Sequence, residues 1–224
     1  MPFKPLATVG LVTVPGADGA EESEPVEGSP DRLITLSDGI YAIAMTLLVL
    51  DLAVPSGLSA AQFHTAIGQV WMKLAAYAWS FYILAAFWRD NRRLFLRIRR
   101  VDPTILSLAT TSLGAVALLP FTTSLLAEYS RQSVAVALYS ANILAIVSLH
   151  IALVVTLWRR RHLQAHFISD ELGRGVVQDL GVTAVVFALS IPIAFASPTA
   201  ALYFWIVLIP AKVAVGLRNR RASA

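Results

Sequence analysis

The 224-residue sequence contains no cysteine. A disulfide framework, a thiolate nucleophile and a cysteine-ligated zinc or iron–sulfur site are therefore excluded. Charged residues are also scarce, at 14% against the ~25% usual in soluble domains. No glycine-rich phosphate loop, nucleophile elbow or zinc-protease signature occurs, so nothing points to covalent chemistry or to a bound cofactor. What the chain has instead is apolar mass: 57% of its residues are hydrophobic. A membrane-crossing helix takes ~20 such residues, so the composition supports about six spans of an all-α, polytopic membrane protein.

Residues 1–31 differ from everything that follows. Asp18, Glu21, Glu22, Glu24, Glu27 and Asp31 alternate with Pro, Gly and Ser, a composition that cannot offset its own ordering entropy and predicts a disordered acidic tail. Leu6 to Val14 is too short, and too broken by Gly10, to make a convincing signal peptide. Six apolar segments come next: Leu33 to Val54, Ile67 to Trp88, Thr104 to Ala127, Val134 to Trp158, Val176 to Ala196 and Ala200 to Leu217. Only Ser197, Pro198 and Thr199 separate the last two, which predicts a tight antiparallel hairpin. One long helix broken at Pro192 and Pro198 is the competing reading.

The basic residues set the expected topology. Arg89, Arg92, Arg93, Arg97, Arg99 and Arg100 follow the second segment; Arg159, Arg160, Arg161 and Arg174 lie between the fourth and fifth; Arg218, Arg220 and Arg221 follow the sixth. The other connections hold only Arg131, with Lys73 just inside the second segment. By the positive-inside rule both termini are cytoplasmic, residues 218–224 form a short basic tail there, and the cell membrane is the expected location. The positive net charge then needs no nucleic acid as a partner. No internal repeat of the first segment is visible, so a pathway on a symmetry axis requires several subunits.

Polar groups concentrate at the start of the first segment, where Arg32, Ser37 and Asp38 precede a long apolar run. Ser37 and Asp38 suit either a helix N-cap or a buried polar network. On a helix, Gly39, Ile43, Thr46, Leu47 and Leu50 share one face, and Asp38 points about 140° away from Ile43. Such a stripe either packs on neighbouring helices or lipid, or lines an axis as hydrophobic constrictions with one hydroxyl layer.

Arg32-x-x-x-Leu36-Ser37-Asp38-Gly39, followed by Ala42 through Leu50, resembles the RxxxFSD signature of the transmembrane protein 175 family of potassium channels. Trp88 through Phe95 is similar to that family's second-helix end, and Leu118 through Thr123 with Leu125-Leu126-x-Glu128-Tyr129 to its third-helix pattern. The similarity spans residues 32–217. It implies a homotetramer of six-helix subunits, passing potassium and other monovalent cations through a central pore lined by the first helix. By the same resemblance Ile43 is the narrowest gate, Thr46 the hydroxyl layer, Leu47 and Leu50 further apolar layers, and Arg32, Ser37 and Asp38 a buried structural network. Two departures stand out: the signature phenylalanine is Leu36, and a frequent histidine pair is here Asn91-Arg92. A secondary transporter or proton-coupled permease using Arg32 and Asp38 is the alternative reading.

Among the remaining polar residues, Lys73 and Lys212 are expected to snorkel. His150 is expected to hydrogen-bond to another helix. His162 and His166 have metal-like spacing but no third ligand, so no metal site is expected.

Overall fold

The computed structural model describes residues 30–52, 56–57 and 59–222. The expected acidic tail therefore lies outside the described residues except for its last two, and these are helical. The helices are α1 (Pro30–Leu47), α2 (Ala60–Phe95), α3 (Pro103–Ala117), α4 (Leu119–Glu128), α5 (Ser133–Arg159), α6 (Asp170–Ala196), α7 (Pro198–Phe204) and α8 (Leu208–Ala222). Together they make six spans, because α3 with α4 and α7 with α8 each form one broken span. Among the described residues no strand occurs, only an antiparallel bridge between Ile98 and Gln164.

Local chemistry sets the boundaries. Ser59 opens α2 with a capping box: Gln62 N–H bonds the Ser59 hydroxyl, and Ser59 N–H bonds Gln62 Oε1 at 2.9 Å. Asp102 caps α3 by accepting from Ile105 N–H at 2.7 Å, with Pro103 at the first position, where its missing N–H costs nothing. Its carboxylate also takes the Arg160 guanidinium. Ser197 ends α6 in an extended conformation and at once caps α7 through Ala200 N–H. That one residue makes the hairpin. Trp205 Nε1 reaches back to Ser190 Oγ at 2.7 Å and Lys212 Nζ to Asp179 Oδ2 at 2.8 Å, an antiparallel register that rules out one continuous helix through Pro198. Residues 218–222, expected as part of a tail, continue α8.

The break between α3 and α4 is filled from α5. With its amide oxygen toward Thr122 Oγ1 (3.2 Å) and Leu119 N–H (3.3 Å), and its nitrogen donating to the Ala115 carbonyl (3.0 Å), Asn142 satisfies groups that the interrupted helix leaves open. Buried hydroxyls join further helices: Thr123 Oγ1 donates to Ser80 Oγ at 3.0 Å, Ser80 lies 3.1 Å from Tyr139 OH, and Ser140 Oγ donates to Ser190 Oγ at 3.2 Å. Such contacts hold membrane bundles where apolar burial gives no net drive. Trp205 packs against Tyr139, Phe187 and Trp79 at the centre of this layer.

The six spans alternate, so the arginine-bearing connections and the starts of α1 and α6 share one end. There the two loops are pinned: Arg99 N–H donates to Leu163 O at 2.7 Å and Ala165 N–H to Arg97 O at 2.8 Å. At 36 residues, α2 is about 54 Å long against a ~30 Å hydrocarbon core, so it projects well beyond the bilayer interior.

Candidate functional site

Helix α1 has two unlike faces. Leu33, Ser37, Tyr41 and Ala44, continued by Leu48, are buried at three- and four-residue spacing. The opposite face is open within the described chain: Ile43 is 59% exposed, Leu47 41% and Leu50 68%, with Gly39 and Thr46 also exposed. The stripe expected from spacing is thus largely uncovered among the described residues. After Leu47 the helix tightens into a 3-10 turn over Leu48–Asp51, which brings Leu50 over Leu47. Thr46 Oγ1 donates to the Ile43 carbonyl at 2.8 Å. With its proton committed there, the hydroxyl offers lone pairs outward.

Ser37 and Asp38 turn away from that stripe and are held by α2. The helix starts at Pro30, so neither is an N-cap. Ser37, 2% exposed, accepts from Asn91 Nδ2 at 2.5 Å. The Asp38 carboxylate accepts from Trp88 Nε1 at 2.7 Å on one oxygen and from Arg92 NH1 at 2.9 Å on the other. The Arg92 guanidinium also lies 6.0 Å from the Trp88 ring centroid, within cation–π range. Trp88, Asn91 and Arg92 sit at positions i, i+3 and i+4 and so meet α1 as one patch. Asn91 and Arg92, noted in the sequence as departures, provide the partners themselves.

The structure separates two of the expected network members from the third. Ser37 and Asp38 meet α2, whereas Arg32 is exposed and makes no hydrogen bond or ion pair among the described residues. Leu36, in the place of the signature phenylalanine, is 48% exposed and is no core residue of the chain.

Other polar residues depart from their expectations. His150 makes no interhelical hydrogen bond: Nδ1 faces the carbonyl of Ile146 on its own helix at 3.0 Å, and the ring stacks on Phe87 of α2. Lys212 does not snorkel freely but pairs with Asp179. Sequence reading also missed the Ser80–Thr123–Tyr139 cluster, because single hydroxyls in three distant segments carry no local spacing signal.

Residues 32–120 match the family model described as the endosomal/lysosomal potassium channel TMEM175. A potassium channel of Streptomyces collinus is 32% identical over 170 residues, covering 74% of this chain and 82% of that protein. A potassium channel of Chamaesiphon minutus is 29% identical over 180 residues, covering 74% and 86%. The crystal structure of a lysosomal potassium-selective channel TMEM175 homolog from Chamaesiphon minutus superposes with a TM-score of 0.71 at 25% identity, covering 85% of this chain and 97% of that one.

Proposed function

The chain belongs to the TMEM175 family, and from that premise we propose that it is a potassium-permeable cation channel whose pore is lined by α1 from each of four subunits. It is a multi-pass membrane protein of an ion-channel family and not an enzyme. The observation that carries the pore reading is the exposed stripe of Ile43, Thr46, Leu47 and Leu50 on a helix whose other face is buried. Four copies of that stripe around an axis form successive rings, with Ile43 as a hydrophobic gate that opposes wetting. The Thr46 ring presents oxygen lone pairs, which favours cations over anions. With the arginine-rich end cytoplasmic, both termini face the cytoplasm and the channel sits in the cell membrane.

Ser37 and Asp38 are structural in this reading: they fix the rotation of α1 so that the stripe faces the axis. A transporter using Asp38 as a relay is disfavoured, because both carboxylate oxygens are already engaged by Trp88 and Arg92. The test is potassium flux from liposomes containing the purified protein. Ile43→Ser replaces the narrowest apolar ring with a hydroxyl ring and is expected to raise cation flux at unchanged oligomeric state. Unchanged flux from an intact tetramer would remove α1 as the pore helix, and saturable, pH-coupled flux would favour the transporter.

A further inference from the structure

Toward the arginine-rich end α2 and α6 barely touch, and a cleft of about 1050 Å³ opens between them, backed by α5. That volume is at the upper end for small-molecule sites, which commonly lie between helices of bundles. Its walls combine apolar side chains, among them Val154, Leu172 and Val176, with the guanidiniums of Arg93, Arg97 and Arg174. Arg97 and Arg174 have no carboxylate partner among the described residues. The acidic residues of the cleft are mostly compensated: Asp179 by Lys212 at 2.8 Å, and Asp90 by Arg89 and Arg93 at 4.0 and 3.9 Å. Glu171, which is exposed, has no cation partner among the described residues.

A second observation comes from the inner wall. His150 is 1% exposed and lines the cleft, and its Nε2 has no hydrogen-bond partner. Because Nδ1 faces the Ile146 carbonyl, Nδ1 carries the proton of the neutral ring and Nε2 is left as an acceptor. A buried acceptor of this kind is normally satisfied by a donor, and the cleft that His150 lines is the nearest open space from which one can come. An occupant that carries an anionic group for two free guanidiniums and a hydroxyl for one imidazole nitrogen matches this lining.

We propose that this cleft binds a phosphate ester bearing a free hydroxyl, and that its source is the glycerol phosphate headgroup of an anionic lipid. The phosphate lies between Arg97 and Arg174, where bidentate charge-assisted bonds are available, and the headgroup hydroxyl donates to His150 Nε2. The apolar wall residues favour an acyl-bearing molecule over a soluble one, and basic pockets between membrane helices are a recognised setting for such headgroups. The cleft also has a route to α1. Asp90, Arg93 and Arg97 line it, whereas Trp88, Asn91 and Arg92 on the same stretch of α2 hold Ser37 and Asp38.

The test measures lipid bound to the purified full chain by native mass spectrometry and by thermal shift, so it stands independently of the pore reading. Phosphatidylglycerol is expected to bind and stabilise, and phosphatidylcholine is not. Arg97→Gln with Arg174→Gln should weaken phosphatidylglycerol by about tenfold for each guanidinium lost. The paired lysine variants keep the charge and lose the bidentate geometry, so they should bind more tightly than the glutamine pair and more weakly than the parent, which guards against misfolding as the cause. Arg99→Gln with Arg100→Gln, on the same end but outside the cleft, should bind as the parent does. His150→Leu should erase the preference for phosphatidylglycerol over phosphatidic acid. Equal binding by the double glutamine variant, or equal loss from the Arg99 and Arg100 pair, overturns the site. Displacement by sn-glycerol 3-phosphate at equal concentration keeps the site and overturns the lipid as its source.

Discussion

The junction between α1 and α2 allows a quantitative test of what orients α1. Asp38→Ala removes the acceptor for two donors, Trp88 Nε1 at 2.7 Å and Arg92 NH1 at 2.9 Å. The two losses are unequal. The Arg92 and Asp38 side chains are 48% and 35% exposed, so solvent screens that pair and it contributes only about 0.5–1 kcal/mol. The indole N–H is part-buried and donates to a charged acceptor, an interaction of about 1.5–3 kcal/mol. Asp38→Ala should therefore cost about 2–4 kcal/mol, a fall of about 5–15 °C in Tm for a chain of this size. Double-mutant cycles apportion the loss. Asp38→Ala with Trp88→Phe should show a coupling of at least 1 kcal/mol, and Asp38→Ala with Arg92→Gln roughly half as much. The assay is thermal inactivation followed by fluorescence-detected size exclusion at fixed protein concentration, with flux measured in parallel. Stronger coupling to Arg92 than to Trp88 would refute the burial argument. Normal stability with altered ion selectivity would refute the structural role of Asp38.

The same logic extends elsewhere in the bundle. A Cβ at Gly173 would lie 2.8 Å from the Trp158 ring, so Gly173→Ala should cost about 1–3 kcal/mol and shift tryptophan fluorescence; an unchanged spectrum and Tm would show that the α5–α6 contact is loose. Lys212→Met leaves Asp179 unpaired in the last hairpin and should destabilise by about 1–2 kcal/mol after allowance for partial exposure, whereas adding Asp179→Leu should restore much of it. A double variant worse than the single one would contradict this. Ser190→Ala removes the acceptor of Trp205 Nε1 in a fully buried position and should lower Tm by an amount matching about 1–3 kcal/mol, read in the same thermal assay. A Tm within error of the parent would mean that the indole finds another acceptor.

Span number and placement were legible in the residue order, because ~20-residue apolar runs and the clustering of arginine between alternate runs are local signals. The α1 stripe was legible for the same reason: once a helix is granted, spacing alone puts Ile43, Thr46 and Leu47 on one face. The partners of Ser37 and Asp38 were not. Asn91 and Arg92 lie more than fifty residues away and read as departures from a familiar pattern, yet an amide and a guanidinium supply the donors that the serine and the aspartate need. Arg32 illustrates the converse, since adjacency in a motif does not place a side chain in contact with its neighbours in that motif.

Residue order sufficed for a helical, six-span membrane protein with its basic residues at one end, and for the face of α1 on which a pore is proposed. These are properties of periodicity and composition, carried by residues within one or two turns of each other. Which groups satisfy one another across helices follows from packing alone. The Ser197 hairpin was decided by pairings between residues 190 and 205 and between 179 and 212, which no local pattern distinguishes from a long kinked helix. The cleft between α2 and α6, with His150 unpartnered on its wall, was likewise invisible in the residue order, because a gap arises from how helices fail to meet. Contact between distant polar groups costs or contributes free energy only once desolvation brings them together, and that happens in the packed bundle.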